Sequence, residues 1–203
     1  MKKNKISKNW IRRQQKDIYV RSAIMRGYRS RSAFKLIEID KKFNIFYNKK
    51  TFLDLGAFPG GWSQVAGEKI KNGNILSVDL KQMEPIDNTN FILGNFTEDK
   101  TKKKIFNYFI DKIDIVVSDM AQNTTGNKNL DSLIIGELCL DALNFTKEII
   151  NKNGFFVSKI FMGSNFKEII SKSKNIFKDV KIFKPKSSRK ESKENYIICN
   201  NLK

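Results

Sequence analysis

Residues 51–62, TFLDLGAFPGGW, constrain this chain more than any other stretch. Phe52, Leu53 and Leu55 form a short apolar run, and glycines follow at 56, 60 and 61. A buried strand that leads into a tight glycine loop and then a helix builds a ligand site. Glycine lets backbone approach a ligand closely, and the helix N-terminus offers unpaired N–H groups. The spacing excludes two familiar cradles. A dinucleotide loop places its glycines at offsets of about zero, two and five. Here they fall at zero, four and five from Gly56. A triphosphate loop needs Gly-Lys followed by Ser or Thr, whereas Gly61 is followed by Trp62 and Ser63.

The remainder of the chain alternates around this unit. Ser32 caps an expected helix over 33–43, with Ala33, Phe34, Ile37 and Phe43 inward. Strand one, 52–55, is followed by a helix from Trp62 to about 71 that Asn72-Gly73-Asn74 ends. Further strands are expected at 75–80, 91–96, 114–120 and 155–161, with helices at 98–111, 130–151 and from Gly163 to about 177. Asn153-Gly154 is read as the stop of the long helix, and 123–129 as a polar substrate loop. Residues 180–183 and 196–199 read as a late strand pair joined by a Lys/Ser-rich loop. The order predicts an α/β, Rossmann-like fold: a mostly parallel seven-stranded sheet with one antiparallel strand and helices on both faces.

Charge points to the partner. Of a net charge of +18, residues 1–31 contribute eleven Lys/Arg against Asp17 alone. That is the electrostatic footprint of a polyanion binder. A basic arm over 1–28, followed by one domain over 29–203, is the economical description. Trp10 and Tyr28 could stack on exposed bases or belong to the core. The chain has no histidine, which removes His-based triads and nearly every zinc site. Proton chemistry must then run on Lys, Asp, Glu, Tyr or Cys. Cys139 and Cys199 read as core thiols in a reducing compartment. No apolar stretch reaches a membrane-spanning length and the start lacks an apolar signal core, so a cytoplasmic setting is expected ahead of an organelle matrix.

In such sheets ligands sit at the carboxyl ends of the strands. Asp79 ends the second strand, 23 residues after Gly56, where a carboxylate suits ribose hydroxyls. Asp119 ends the fourth. Lys159 lies inside an apolar run, where a lysine is expensive unless paired or functional. Glu194 and Lys35 are weak signals individually.

Together these words resemble the FtsJ/RrmJ family of S-adenosylmethionine-dependent RNA 2′-O-ribose methyltransferases. The matching segments are Arg29-Ser30-Arg31-Ser32-Ala33-Phe34-Lys35-Leu36, Asp54 to Gln64, Val78-Asp79-Leu80, Ser118-Asp119-Met120-Ala121, Lys159-Ile160-Phe161 and residues 185–196. The resemblance implies a catalytic Lys35, Asp119, Lys159, Glu194 tetrad. It implies S-adenosyl-L-methionine contacts at Gly56, Gly60, Trp62, Asp79, Asn95 and Asp119, with no metal. It implies a monomer acting on a uridine in the A-loop of large-subunit ribosomal RNA. A tRNA or mRNA-cap target, a non-catalytic assembly factor, or a small-molecule or protein methyltransferase are the alternatives. Two positions depart from the family. Asn95 replaces the usual Asp of Gly-Asp-Phe, and its carbonyl is expected to take an adenine amino N–H. Gln122 replaces a Pro and is expected to loosen the substrate loop. Lys159 is expected to be neutral, its pKa lowered by burial and by Lys35, and to accept the 2′-hydroxyl proton.

Overall fold

A computed structural model describes residues 17–120, 128–163, 165–189 and 191–203. Trp10, Ala121, Gln122 and most of the 123–129 loop lie outside that range. The elements run α1 (Ile18–Met25), α2 (Ala33–Phe43), β1 (Thr51–Leu55), α3 (Gly61–Lys69), β2 (Asn74–Asp79), β3 (Asn90–Leu93), α4 (Asp99–Tyr108) and β4 (Ile113–Ser118). Then come α5 (Lys128–Ile149), β5 (Ile150–Phe161), α6 (Phe166–Ile176), β6 (Phe177–Phe183) and β7 (Glu194–Leu202). The seven strands form one sheet in the order β3-β2-β1-β4-β5-β7-β6. β1 to β5 pair in parallel, and β7 runs antiparallel to both β5 and β6. The chain reverses direction across the sheet between β1 and β4, which is where such folds open a ligand crevice.

Alternation along the strands divides the core. Leu53 and Leu55 face one way, with Leu140 and Leu143 of α5, Ile105 of α4 and Ile169 of α6. Phe52 faces the other way, with Leu36 and Ile39 of α2 and Trp62 and Val65 of α3. The helices therefore cover both faces, as expected from buried parallel strands. Cys139 and Cys199 are buried free thiols, and burial pushes both to about 12.

Two local readings need correction. The long helix ends at Ile149, and Asn153-Gly154 lies inside β5. A Cβ on Gly154 would stand 2.9 Å from the Asp114 carbonyl, so that glycine serves close strand approach and not a helix stop. Part of the expected arm is also folded onto the domain. Asp17 caps α1 by accepting the Tyr19 N–H, and it pairs with Arg31. Tyr19 and Tyr28 both pack on Phe34, and Tyr28 donates to Glu68 at 2.7 Å. Tyr28 is thus committed to the fold.

Beneath the glycine loop, Asp54 of β1 is buried and accepts from Ser63 Oγ at 2.7 Å, and Ser63 Oγ lies 2.7 Å from Ser77 Oγ. This chain ties β1, α3 and β2 together. Burial pushes the Asp54 carboxyl up to about 7 from its ordinary value of 3.8, against the Ser63 hydrogen bond. Between those values the folded state holds a proton that the unfolded chain releases, so stability falls as pH rises through the window. At about 1.4 kcal/mol per pH unit the effect is on the order of 4 kcal/mol. Urea unfolding should show wild type losing stability relative to Asp54→Asn between about pH 4 and pH 8. A pH-independent difference would place the carboxyl in a solvated setting.

Candidate active site

Strand register assembles the site. Ser118 pairs with Ser158, which sets Asp119 beside Lys159 just past the end of β4. Lys159 pairs with Tyr196, and cross-strand partners share a face. Glu194 lies two residues before Tyr196 and so faces the same side. Because β7 runs backwards, its first residue reaches the carboxyl end of the parallel strands. Lys35, in the first turn of α2, is carried onto this face by Leu36 and Ile39 packing on the sheet.

The four charges interlock. Lys35 Nζ lies 2.9 Å from both Glu194 carboxylate oxygens and 3.7 Å from Asp119. Lys159 Nζ lies 3.2 Å from Asp119 and 3.7 Å from Glu194. Lys35, Lys159 and Glu194 are each 8–9% exposed. Two cations and two anions, buried together, compensate one another as isolated buried charges cannot. Burial alone would raise the Asp119 pKa, but Lys159, Lys35 and the Tyr196 hydroxyl together hold it below the ordinary carboxylate range. Burial pulls the Lys159 amine down, and Asp119 and Glu194 outweigh it, so its pKa lies above the ordinary lysine value. The expectation of a neutral Lys159 is therefore corrected for this arrangement.

Three supporting groups escaped the sequence reading. Tyr196 is fully buried and donates to Asp119 Oδ1 at 2.7 Å. Its hydroxyl is held well above its ordinary pKa, first by burial and then by the Asp119 and Glu194 charges. Ser188 Oγ donates to Glu194 Oε1 at 2.8 Å. Glu38 accepts the Lys186 and Ser187 backbone N–H groups, and Arg31 donates to the Ser187 carbonyl, so α2 fixes the loop that aims Glu194. Period-two alternation alone places Tyr196 on the Glu194 face; Ser188 and Glu38 carry no such signal.

Beside the cluster lies a cavity of about 690 Å³, within the usual range for small-molecule sites. Gly56, Asp79, Gly94, Asn95 and Asp119 line it, with Phe58, Leu80 and Leu138 as apolar wall. Gly56, Asp79, Gly94, Asn95 and Asp119 each follow or close a strand at its carboxyl end, and α5 adds Asp141 to the lining. Gly56 has φ +76°, and a Cβ there would stand 2.1 Å from Met120 Cγ, so backbone forms this part of the wall. Asp79 accepts the Phe58 and Lys81 backbone N–H groups at 2.9 and 2.8 Å. Each oxygen keeps a further lone pair for a ribose hydroxyl. An apolar wall for a purine, an oriented carboxylate for a diol and bare backbone at the loop fit an adenosyl cofactor.

Gly60 and Trp62 are placed differently. Trp62 is 2% exposed, lies tilted against Tyr196 with ring centroids 5.6 Å apart, and donates its Nε1–H to the Ser32 carbonyl. Its indole is core and does not face the cavity. Gly60 packs against Ile86 and Met83 at the start of α3, away from the cavity lining. A second cavity, about 750 Å³, opens at the amino ends of β1 to β3 between Lys50, Lys71, Asn90 and Tyr108. It lies at the far end of the sheet from the tetrad. Among the described residues no three His, Cys, Asp or Glu side chains gather as a metal site requires, and no helix is long and apolar enough to cross a membrane.

The FtsJ-like methyltransferase family model matches residues 28–202. Over its whole length the chain is 57% identical to the Ribosomal RNA large subunit methyltransferase E of Pelagibacter ubique, whose full length is also covered. The structure superposes on a ribosomal RNA methyltransferase of Plasmodium falciparum with a TM-score of 0.78 and 36% identity. That match covers 86% of this chain and 98% of the other. A Streptococcus mutans methyltransferase solved with SAH shares the fold at a TM-score of 0.52 and 12% identity, over 81% of this chain and 97% of the other. A family match across most of the chain, joined to a strand-end cavity with a two-lysine, two-acid cluster beside it, means that the chain belongs to the FtsJ-like methyltransferases.

Proposed function

We propose that this protein transfers a methyl group from S-adenosylmethionine to a ribose 2′-hydroxyl of RNA, at a uridine in the A-loop of large-subunit ribosomal RNA. One observation carries the reading. Asp119 lines the cavity and at the same time pairs with Lys159, so the cofactor site and the proton-handling cluster share a wall. The Pelagibacter ubique relative's name supports the RNA class. The basic segment over 1–28 supplies phosphate contacts that position the substrate without reading its sequence.

The cofactor supplies a methyl group already made electrophilic by its sulfonium. A 2′-hydroxyl is a poor nucleophile until its proton begins to leave. Lys159 accepts that proton at Nζ, as the buried amine nearest the Asp119 wall. Its raised pKa means that it must first shed its own proton. The cluster holds two cations and two anions, and the positive charge of a bound cofactor would enlarge the neutral fraction of the amine while leaving it the minor form at neutral pH. Asp119 and Glu194 keep that amine aimed, and Tyr196 and Ser188 keep the carboxylates aimed. Lys35, held by Glu194, binds the ribose oxygen or the adjacent phosphate.

The test is transfer of tritium-labelled methyl from the cofactor to ribosomal RNA, followed by nuclease mapping and nucleoside analysis. The expected result is label in large-subunit RNA, released as a 2′-O-methylated uridine. Label on a base, on protein, or nowhere would overturn the reading.

A further inference from the structure

Asn95 follows Gly94 in the turn from β3 into α4 and lines the cavity with Asp79. Its side-chain Oδ1 accepts the Thr97 backbone N–H at 3.1 Å and the Thr97 hydroxyl at 2.9 Å. Its own carbonyl accepts the Glu98 N–H at 3.1 Å. The expectation that the Asn95 side-chain carbonyl receives an adenine amino N–H is thus corrected: the helix-entry turn already uses that oxygen.

The amide orientation is decided by chemistry. A backbone N–H can only donate, so turning the Asn95 Nδ2 toward Thr97 would set donor against donor. Nδ2, with two N–H groups, has no hydrogen-bond partner among the described residues. The segment has little room to re-aim. The Gly94 N–H is tied to the Asp79 carbonyl at 2.9 Å, and a Cβ on Gly94 would stand 2.6 Å from Thr101 Oγ1.

We infer that Asn95 presents a hydrogen-bond donor to the purine edge of the cofactor, so this chain does not select for the 6-amino group of adenine. The inference rests on the cofactor reading above. An aspartate in the same turn would leave one oxygen on Thr97 and offer the other to the amino group. Exchanging that second oxygen for Nδ2 reverses the polarity. A 6-amino group then meets a donor, while the unprotonated N1 of adenine or the oxygen of a 6-oxo purine meets a partner. Sites discriminate strongly only when the wrong ligand leaves a buried polar group unpaired, and here either purine offers Nδ2 an acceptor.

The test is calorimetric titration of wild type and Asn95→Asp with S-adenosylhomocysteine and S-inosylhomocysteine. Asn95→Asp preserves side-chain shape and both Thr97 bonds, and circular dichroism verifies the fold. The preference for the adenosyl over the inosyl ligand is expected to rise about tenfold in the variant, the worth of one hydrogen bond to a charged acceptor. A preference that is unchanged or lower in the variant overturns the inference while leaving the cofactor reading intact. Failure of wild type to bind either ligand overturns both.

Discussion

Replacing Lys159 with alanine is expected to lower methyl-transfer turnover by about 10²- to 10⁴-fold, the usual contribution of a positioned general base. Binding of S-adenosylhomocysteine should stay near the wild-type value, because Lys159 is not among the residues lining the cavity. The effect has a pH signature. Asp119 and Glu194 raise the Lys159 pKa above that of a free lysine. The neutral amine is therefore the minor form at neutral pH, and its fraction rises with each pH unit until the amine titrates. In wild type the single-turnover rate should rise close to tenfold per unit over that range. The residual rate of Lys159→Ala should lack this rise. Undiminished turnover in the variant removes Lys159 from the proton-accepting role. A variant that keeps the pH slope assigns the slope to another group, Lys35 being the first to examine.

The same residues show where the sequence was legible. Strand ends can be read from apolar runs that stop at a polar residue, so Gly56, Asp79 and Asp119 could be placed at one sheet edge before any coordinates. Lys159 was legible because a lysine within Phe156, Val157, Ile160 and Phe161 has no ordinary reason to be there. Glu194 was visible only through the family resemblance, since a carboxylate at the start of a strand is common. The charge state of Lys159 was not legible. It depends on distances of 3.2 and 3.7 Å to acids contributed by two other strands, and register alone decides those. Asn95 shows the same limit at closer range. Its identity was plain, but the direction of its amide depends on the Thr97 N–H and on the turn that launches α4. Trp62 could be read either as backing the cofactor or as packing on the first strand, and α3 turns its indole into the core, under Ser32 and against Tyr196.

Asp119→Ala is expected to be the most destabilising of the cluster's single substitutions, by about 3–5 kcal/mol, the range for removing one partner from a buried ion pair. Three groups lose their partner at once. Lys159 loses its nearer acid, Lys35 loses its second, and the fully buried Tyr196 hydroxyl loses its acceptor. Glu194 alone must then balance two buried ammonium groups. For a chain of this length the melting temperature should fall by roughly 10 °C. The depressed Asp119 pKa fixes the pH sense. Its contribution is present above the ordinary carboxylate range and fades as pH drops through the lower folded value, so the gap between wild type and variant should close in acid. The decisive measurement is the double variant Asp119→Ala with Lys159→Met. Removing the unpaired ammonium leaves Lys35 balanced by Glu194 at 2.9 Å, so the double variant should melt above the single Asp119→Ala variant, although it lacks one more native side chain. Additive or greater loss in the double variant would mean that the two residues stabilise the fold independently, and that charge balance does not hold the four groups together.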